Sequence, residues 1–306
     1  MNTSLDPKAR SFLTSLNQIQ SRNERAQSQI TSGRRVQQPS DDPAGVSRIL
    51  SLATQVERTG RLRGDLELVR GEVEAADSAL QQAVRLLEKA GSLSAQGASE
   101  ILPPDKRALL AVEARDLLQS LVGITQTSVN GRYLFGGDQD RVAPFEFDPS
   151  VAGGVRQVQN APASRRIANL AGDTFPVDRT AGQIFDARKA DGSPEEHNVF
   201  GAVSELIAAL ESNDTAALSS LVRKLRSAGD HVNHELSRYG LVHNRLSTEI
   251  ELTQSTELQL RTRLSEVQDT DMTSAILELT QTRQQLEAAI SARGQMPRST
   301  LFDILG

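Results

Sequence analysis

The sequence predicts a mainly α protein, with long antiparallel helices from both chain ends forming a coiled coil or elongated bundle and a small β-rich domain inserted between them. Three observations carry this. Apolar residues recur at alternating spacings of four and three over much of both ends, the pattern by which one helix packs along another. Both ends follow one plan: a helix of about twenty residues, a polar break, then a much longer helix. Between them, from Tyr133 to about Asp191, the chain is rich in Gly, Pro and Asp and holds five of the eight Phe residues.

The first seam is Phe12, Leu16, Ile19, Asn23, Ala26 and Ile30, with Gln18, Arg22, Glu24 and Gln29 on the other faces. Alone, such a helix is marginal in water, so it needs a partner. It stops at Thr31-Ser32-Gly33, where Gly33 can take the left-handed conformation that closes a helix. After the polar connector Arg34 to Gln38, Pro39-Ser40-Asp41-Asp42-Pro43 starts the next helix. Ser or Asp side chains accept from its free amides, and Pro43 suits a first turn that needs no N–H. Both carboxylates also face the positive end of the helix dipole. Paired Asp residues can serve as a metal or acid/base site, but beside Pro at a helix start the capping role is the better reading.

The second seam runs Leu62, Leu66, Val69, Val73, Ala76, Leu80, Ala83, Leu87 and Ala90. A helix of about 50 residues from Pro43 would be on the order of 75 Å long, beyond an ordinary globular helix. The pattern breaks from Gly91 to Pro104, and Pro103-Pro104-Asp105 opens a third helix with seam Leu110, Ala114, Leu117, Leu121 and Ile124. Asn130-Gly131 is its expected stop. A long helix, a turn and a shorter helix should lie antiparallel.

In the insert, Phe145 to Phe147, Val155 to Val158 and Gln183 to Phe185 read as short β-type runs, and both Gly-Gly pairs as turns. The apolar seams lie outside it. Replacing Gly136 to Asp191 with a short Gly/Ser linker is therefore expected to spare assembly.

Helical spacing returns at Val199, Val203, Leu206, Ile207 and Leu210, and Asn213 or Asp214 caps the last long helix. Its seam is Leu246, Ile250, Thr253, Glu257, Leu260, Leu264 and Val267. A spacing of five follows, then Met272, Ile276, Leu279, Arg283, Leu286 and Ile290. Asp269 and Asp271 fall in this second break as candidate caps. The expected domains are 1–40 with 268–306, 41–132 with 197–267, and the insert 133–196.

Composition narrows the function classes. Of 306 residues, 3% are aromatic and 38% hydrophobic, which suits narrow helical seams rather than a thick core. A net charge of −5 and a pI near 5.5 give no electrostatic reason to expect nucleic acid or an acidic membrane as partner. The absence of Cys excludes disulfides and thiolate chemistry. The N-terminus lacks the apolar core of a secretory signal, so extracellular residence would need a dedicated export route. His234-Glu235 begins like a zinc-protease helix, but Arg238 stands where the second His belongs. His231 and His234, three apart, read as a solvated pair. No catalytic or cofactor motif emerges, and no enzyme, cofactor or metal is expected.

Several of these stretches carry a resemblance. Ser32-Gly33-Arg34-Arg35-Val36 followed by Ser40-Asp41-Asp42-Pro43-Ala44-Gly45 resembles the N-terminal signature of the bacterial flagellin family. The Pro-flanked Asp pair and Asn130-Gly-Arg-Tyr-Leu-Phe-Gly-Gly137 are more similar to its hook-associated junction members than to flagellins proper. Asp269-Thr-Asp-Met272, Gln284-Gln285-Leu286 and the final Leu301-Phe-Asp-Ile-Leu305 are similar to the family's C-terminal region. The resemblance implies an extracellular structural part of the flagellum, exported through the flagellar channel without a cleaved signal and joining hook to filament. Implied partners are copies of itself, the other hook-associated junction protein, flagellin and an export chaperone. The alternative within the family is a flagellin. The expected assembly interface is Phe12, Leu16, Ile19, Ile30, Met272, Ile276, Leu279, Leu286, Ile290, Leu301 and Leu305.

Overall fold

The computed structural model describes residues 7–295. In chain order it comprises α1 (Pro7–Ser32), α2 (Pro43–Gly97), α3 (Pro104–Thr125), β1 (Ser128–Val129), β2 (Arg132–Tyr133), β3 (Phe145–Phe147), β4 (Val155–Gln157), β5 (Arg166–Ala168), β6 (Thr174–Pro176), α4 (Ala181–Phe185), α5 (Val199–Glu211), α6 (Thr215–Gln268) and α7 (Met272–Gln295). Two compact units emerge, one drawn from the chain ends, Met1–Arg58 and Thr256–Gly306, the other from Thr59–Ser255.

The central unit, Thr59–Ser255, is built on the predicted seams. Leu66, Val69, Val73, Ala76, Leu80, Ala83, Leu87 and Ala90 of α2 are all buried, as are Ala114, Leu117, Leu121 and Ile124 of α3. A 4–3 repeat keeps these residues on one stripe, so each helix buries one face and solvates the rest. α2 runs past Gly91 to Gly97, beyond the expected break. Leu93 and Ser94 are buried there, and the Ser94 hydroxyl donates to the Leu218 carbonyl at 2.8 Å. Tertiary packing thus overrides the weak helix formers of this stretch. Buried Arg107, from the first turn of α3, donates to the carbonyls of Gly97 (2.8 Å) and Ser99 (2.7 Å) and closes the end of α2. Lys89 and Glu113 meet at 2.6 Å farther along, so α3 folds back beside α2.

The insert is made of three two-stranded antiparallel ribbons, β1–β2, β3–β4 and β5–β6. Asn130 and Gly131 are not the stop of α3, which ends at Thr125. They form the two-residue turn of the β1–β2 hairpin, with φ of 53° and 76°, as the primed turns of tight hairpins require. Gln183 to Phe185 is helical rather than extended. Thr180 and Gln183 form a reciprocal capping box that starts α4. Gly137, at φ 60°, lies where a Cβ would come within 2.6 Å of the Pro162 carbonyl oxygen, so only glycine fits.

Burial corrects the expectation that the insert is separate from the apolar seams. Phe135, Phe145, Phe175, Ile184 and Phe185 belong to one hydrophobic cluster with Leu66 and Leu80 of α2, Leu118 of α3 and Leu206 of α5. Phe135 and Phe185 pack edge to face at 6.1 Å, Phe185 stacks on Phe200 of α5 at 5.8 Å, and Phe135 meets Tyr239 of α6 at 6.4 Å. Ion pairs fasten the same segment to the long helices. Arg165 and Arg132 both reach Glu72 of α2, and Arg179 holds buried Glu235 of α6 by two hydrogen bonds of 3.0 Å. Burial opposes ionisation of Glu235, but Arg179 outweighs it and keeps the carboxyl below its usual range. Glu235 is thereby structural. Arg238 adds a second cation at 3.7 Å. His231 touches the Gln183 carbonyl at 3.1 Å and His197 at 4.2 Å between rings, whereas His234 is exposed. Truncating Phe185 to Ala should cost about 3–5 kcal/mol in urea unfolding of the full chain. A cost below about 1 kcal/mol would detach the insert from the core.

Candidate assembly site

The terminal unit brings together both short helices and both breaks. α1 presents its predicted seam: Phe12, Leu16, Ile19, Asn23 and Ile30 are partly buried and Ala26 fully so. α7 packs against it, with Asn23 Nδ2 donating to Thr282 Oγ1 at 3.1 Å and Arg22 pairing with Glu278 at 2.7 Å.

The phase of α7 differs from the expected one. Its covered row is Ala275, Leu279, Thr282, Leu286 and Ala289. Leu279 and Leu286 sit on it as expected, but Met272, Ile276 and Ile290 lie off it, 43%, 52% and 59% exposed. Two rows at 4–3 spacing share the two leucines, and bulk favours the wrong one on paper. The small residues Ala275 and Ala289 let the helices approach closely, so the leaner row turns inward. Leu301 and Leu305 lie outside the described residues.

The two breaks lie side by side. Gly33 closes α1 at φ 69°, its N–H donating to the Gln29 carbonyl at 2.8 Å. The chain then pairs with the other break. Arg34 forms an antiparallel bridge with Asp269, Arg35 N donates to Gln268 O at 2.8 Å, and Thr270 N donates to Gly33 O at 3.0 Å. Extended connectors satisfy their amides this way instead of leaving them to water.

The signature residues divide the capping work. Asp42 is the cap of α2, accepting from Gly45 N at 2.8 Å, with Pro43 at the first helical position. Asp41 serves the amides upstream of it, Gln37 (3.1 Å) and Gln38 (2.9 Å), and closes the turn. Ser40 is exposed on that turn. At the second break Asp271 caps α7 through Thr273 N at 2.9 Å and Ser274 Oγ at 2.8 Å, while Asp269 accepts from Ser265 Oγ at 2.6 Å. Two further residues, neither marked as a cap by its position, complete the first break, and one of them joins it to the second. Arg35 donates both to Asp42 (3.2 Å) and to the Val267 carbonyl at the end of α6 (3.0 Å), where a cation suits the helix dipole. The Gln37 amide bonds Ser32 and Ser28 at the end of α1.

These bonds set a pH dependence. The Gln38 and Gln37 amides hold Asp41 below the usual carboxylate range, Gly45 and then Arg35 do so for Asp42, and Ser274 for Asp271. A depressed carboxyl contributes stability above its unfolded pKa and loses it as pH falls through the folded one. Hydrogen-exchange protection of the Gly45 and Ser274 amides should therefore hold at neutral pH and drop below about pH 4. Protection unchanged at lower pH would remove the caps from the account.

Long 4–3 seams, paired terminal helices and capped breaks define a helical assembly protein. Residues 7–140 match the bacterial flagellin N-terminal helical region and residues 222–303 the C-terminal one, so the chain belongs to the flagellin family of flagellar structural proteins. It is 26% identical over 295 residues to flagellar hook-associated protein 3 of Escherichia coli, covering 90% of each chain. The same protein of Salmonella typhimurium is 26% identical over 294 residues, again 90% of each. In fold it is similar to a crystal structure of hook-associated protein 3 from Legionella pneumophila, with TM-score 0.61 and 15% identity, covering 72% of this chain and 98% of that one. Within the family the chain is of the hook-associated type.

Proposed function

We propose that this chain connects hook to filament as a structural subunit of the flagellum, packing through its terminal helix pair against neighbouring subunits. The observation that carries this is the uncovered row Met272, Ile276 and Ile290 on α7, beside a seam already filled by α1. Met272 and Ile276 stand one turn apart with Leu277 beside them, 59% exposed, and Ile290 lies farther along past Arg283; exposed apolar side chains grouped in this way mark a surface meant to be covered. Phe12, Leu16, Ile19, Ile30, Leu279 and Leu286 hold the in-chain pair, and the exposed row supplies the inter-subunit contact. The partners in this reading are copies of the chain, the other hook-associated junction protein and flagellin. Export proceeds through the flagellar channel with an export chaperone, and the role is non-enzymatic.

A filament subunit meets only copies of itself and builds an open helical array without limit, whereas a junction subunit meets unlike neighbours. Purified protein seeded with filament fragments or salted with sulfate should therefore not elongate. Cells lacking it should keep hooks and release unassembled flagellin. Long homopolymeric filaments from the purified chain would point to a flagellin instead.

A further inference from the structure

We infer that the Asn23–Thr282 hydrogen bond is a register lock, which selects one alignment of α1 on α7 among several that the apolar pattern alone would allow. Asn23 is the one seam residue of α1 with a polar side chain, and it meets the fully buried Thr282 at 3.1 Å. Thr282 spends its own proton on the Glu278 carbonyl at 2.8 Å, leaving an oxygen lone pair for the Asn23 amide.

In an antiparallel pair this contact fixes every other level of the seam. Ala26 falls level with Leu279 and Ile19 with Leu286, a large residue against a small one or two branched residues together. Heptad seams repeat every seven residues, so sliding α7 by seven in either direction again brings seam residues together, at the cost of the backbone hydrogen bonds that tie Gly33 and Arg35 to Thr270 and Gln268. In either slipped alignment Asn23 faces Ala275 or Ala289, and Thr282 faces Ile30 or Leu16. The half-buried Asn23 amide would then lie beside apolar side chains without its protein partner, which costs part of that hydrogen bond. A polar pair in the seam, Thr282 buried and Asn23 partly so, thus sacrifices some apolar contact and favours one alignment, as polar seam residues do in coiled coils. The alignment also decides where Met272, Ile276 and Ile290 stand along α1.

The chain has no Cys, so introduced thiols report alignment without background. Ala26→Cys would be combined in the full chain with Leu279→Cys (native level), Met272→Cys or Leu286→Cys (one heptad away on either side), and oxidised in a glutathione buffer. With Asn23 and Thr282 in place, the native-level disulfide should exceed either slipped one by about tenfold or more. In N23L/T282V the seam is wholly apolar and only the laced breaks still favour the native level, so the slipped yields should rise at least about threefold relative to the native-level one. Exchanging the partners, N23T/T282N, restores a polar pair and should restore the preference, with helical content by circular dichroism unchanged throughout. Comparable slipped yields in the native background would overturn the lock. So would slipped yields that do not rise in N23L/T282V, or that do not fall again in N23T/T282N. Because the readout is within one chain, these outcomes are independent of whether the protein joins hook to filament.

Discussion

Replacing residues 136–191 with a short Gly/Ser linker is expected to leave a chain whose central helices no longer melt cooperatively. The linker would delete Phe145, Phe175, Ile184 and Phe185 from a cluster that also contains Leu66, Leu80, Leu118 and Leu206. Each lost phenylalanine costs about 3–5 kcal/mol, and three of them approach or exceed the roughly 5–15 kcal/mol by which a domain is stable at all. Glu72 would lose Arg165 and Glu235 would lose Arg179 in the same step. Arg132 and Arg238 remain, at 3.8 and 3.7 Å, and do not replace the short contacts, so each buried carboxylate loses its best partner, which is destabilising. Thermal melting by circular dichroism, with limited proteolysis of the product, reads the outcome. A sharp native-like transition, or normal entry into flagella, would make the insert an appendage after all.

Leu16→Asp or Leu286→Asp should abolish flagellar incorporation while leaving Thr59–Ser255 folded. Both side chains are partly buried in the α1–α7 seam. A carboxylate there must stay solvated, at a cost of several kcal/mol to the pair, so the helices separate. Ile276→Asp provides the contrast, since Ile276 is exposed on the chain itself. It should preserve the α1–α7 pair and still block incorporation, because only neighbouring subunits would cover it. Electron microscopy of flagella from complemented deletion cells, beside circular dichroism of the purified variants, separates the two effects. Normal filaments from cells carrying Leu286→Asp would dispose of the terminal pairing as the means of assembly.

What the sequence made legible follows from side-chain size. The seams of α1, α2, α3 and α6 contain large apolar residues at strict 4–3 spacing, and Leu246, Ile250, Thr253, Glu257 and Leu260 are buried as that spacing requires. The caps were legible too, because Asp42-Pro43 and Asp271 occupy positions whose chemistry is local. The phase of α7 was not, because its inward row holds Ala275, Thr282 and Ala289, and periodicity weighs bulk rather than closeness of approach. Asn130-Gly131 fits a helix stop and a hairpin turn equally well until the flanking strands are seen. The density of Phe in the insert was visible, but its meaning lay in contacts to Phe200 and Tyr239, far away in sequence. Arg35 joined the breaks for the same reason: its partner Val267 lies at the other end of the chain.

The tied breaks have a mechanical consequence. A single extended connector swivels freely, since rotation about its own φ and ψ angles meets little resistance. Two connectors laced by backbone hydrogen bonds between Gly33, Arg35, Gln268 and Thr270 cannot turn about a common axis without shearing that lacing. The joint between the short helices and the long ones can therefore flex as a strap does, yet it transmits twist.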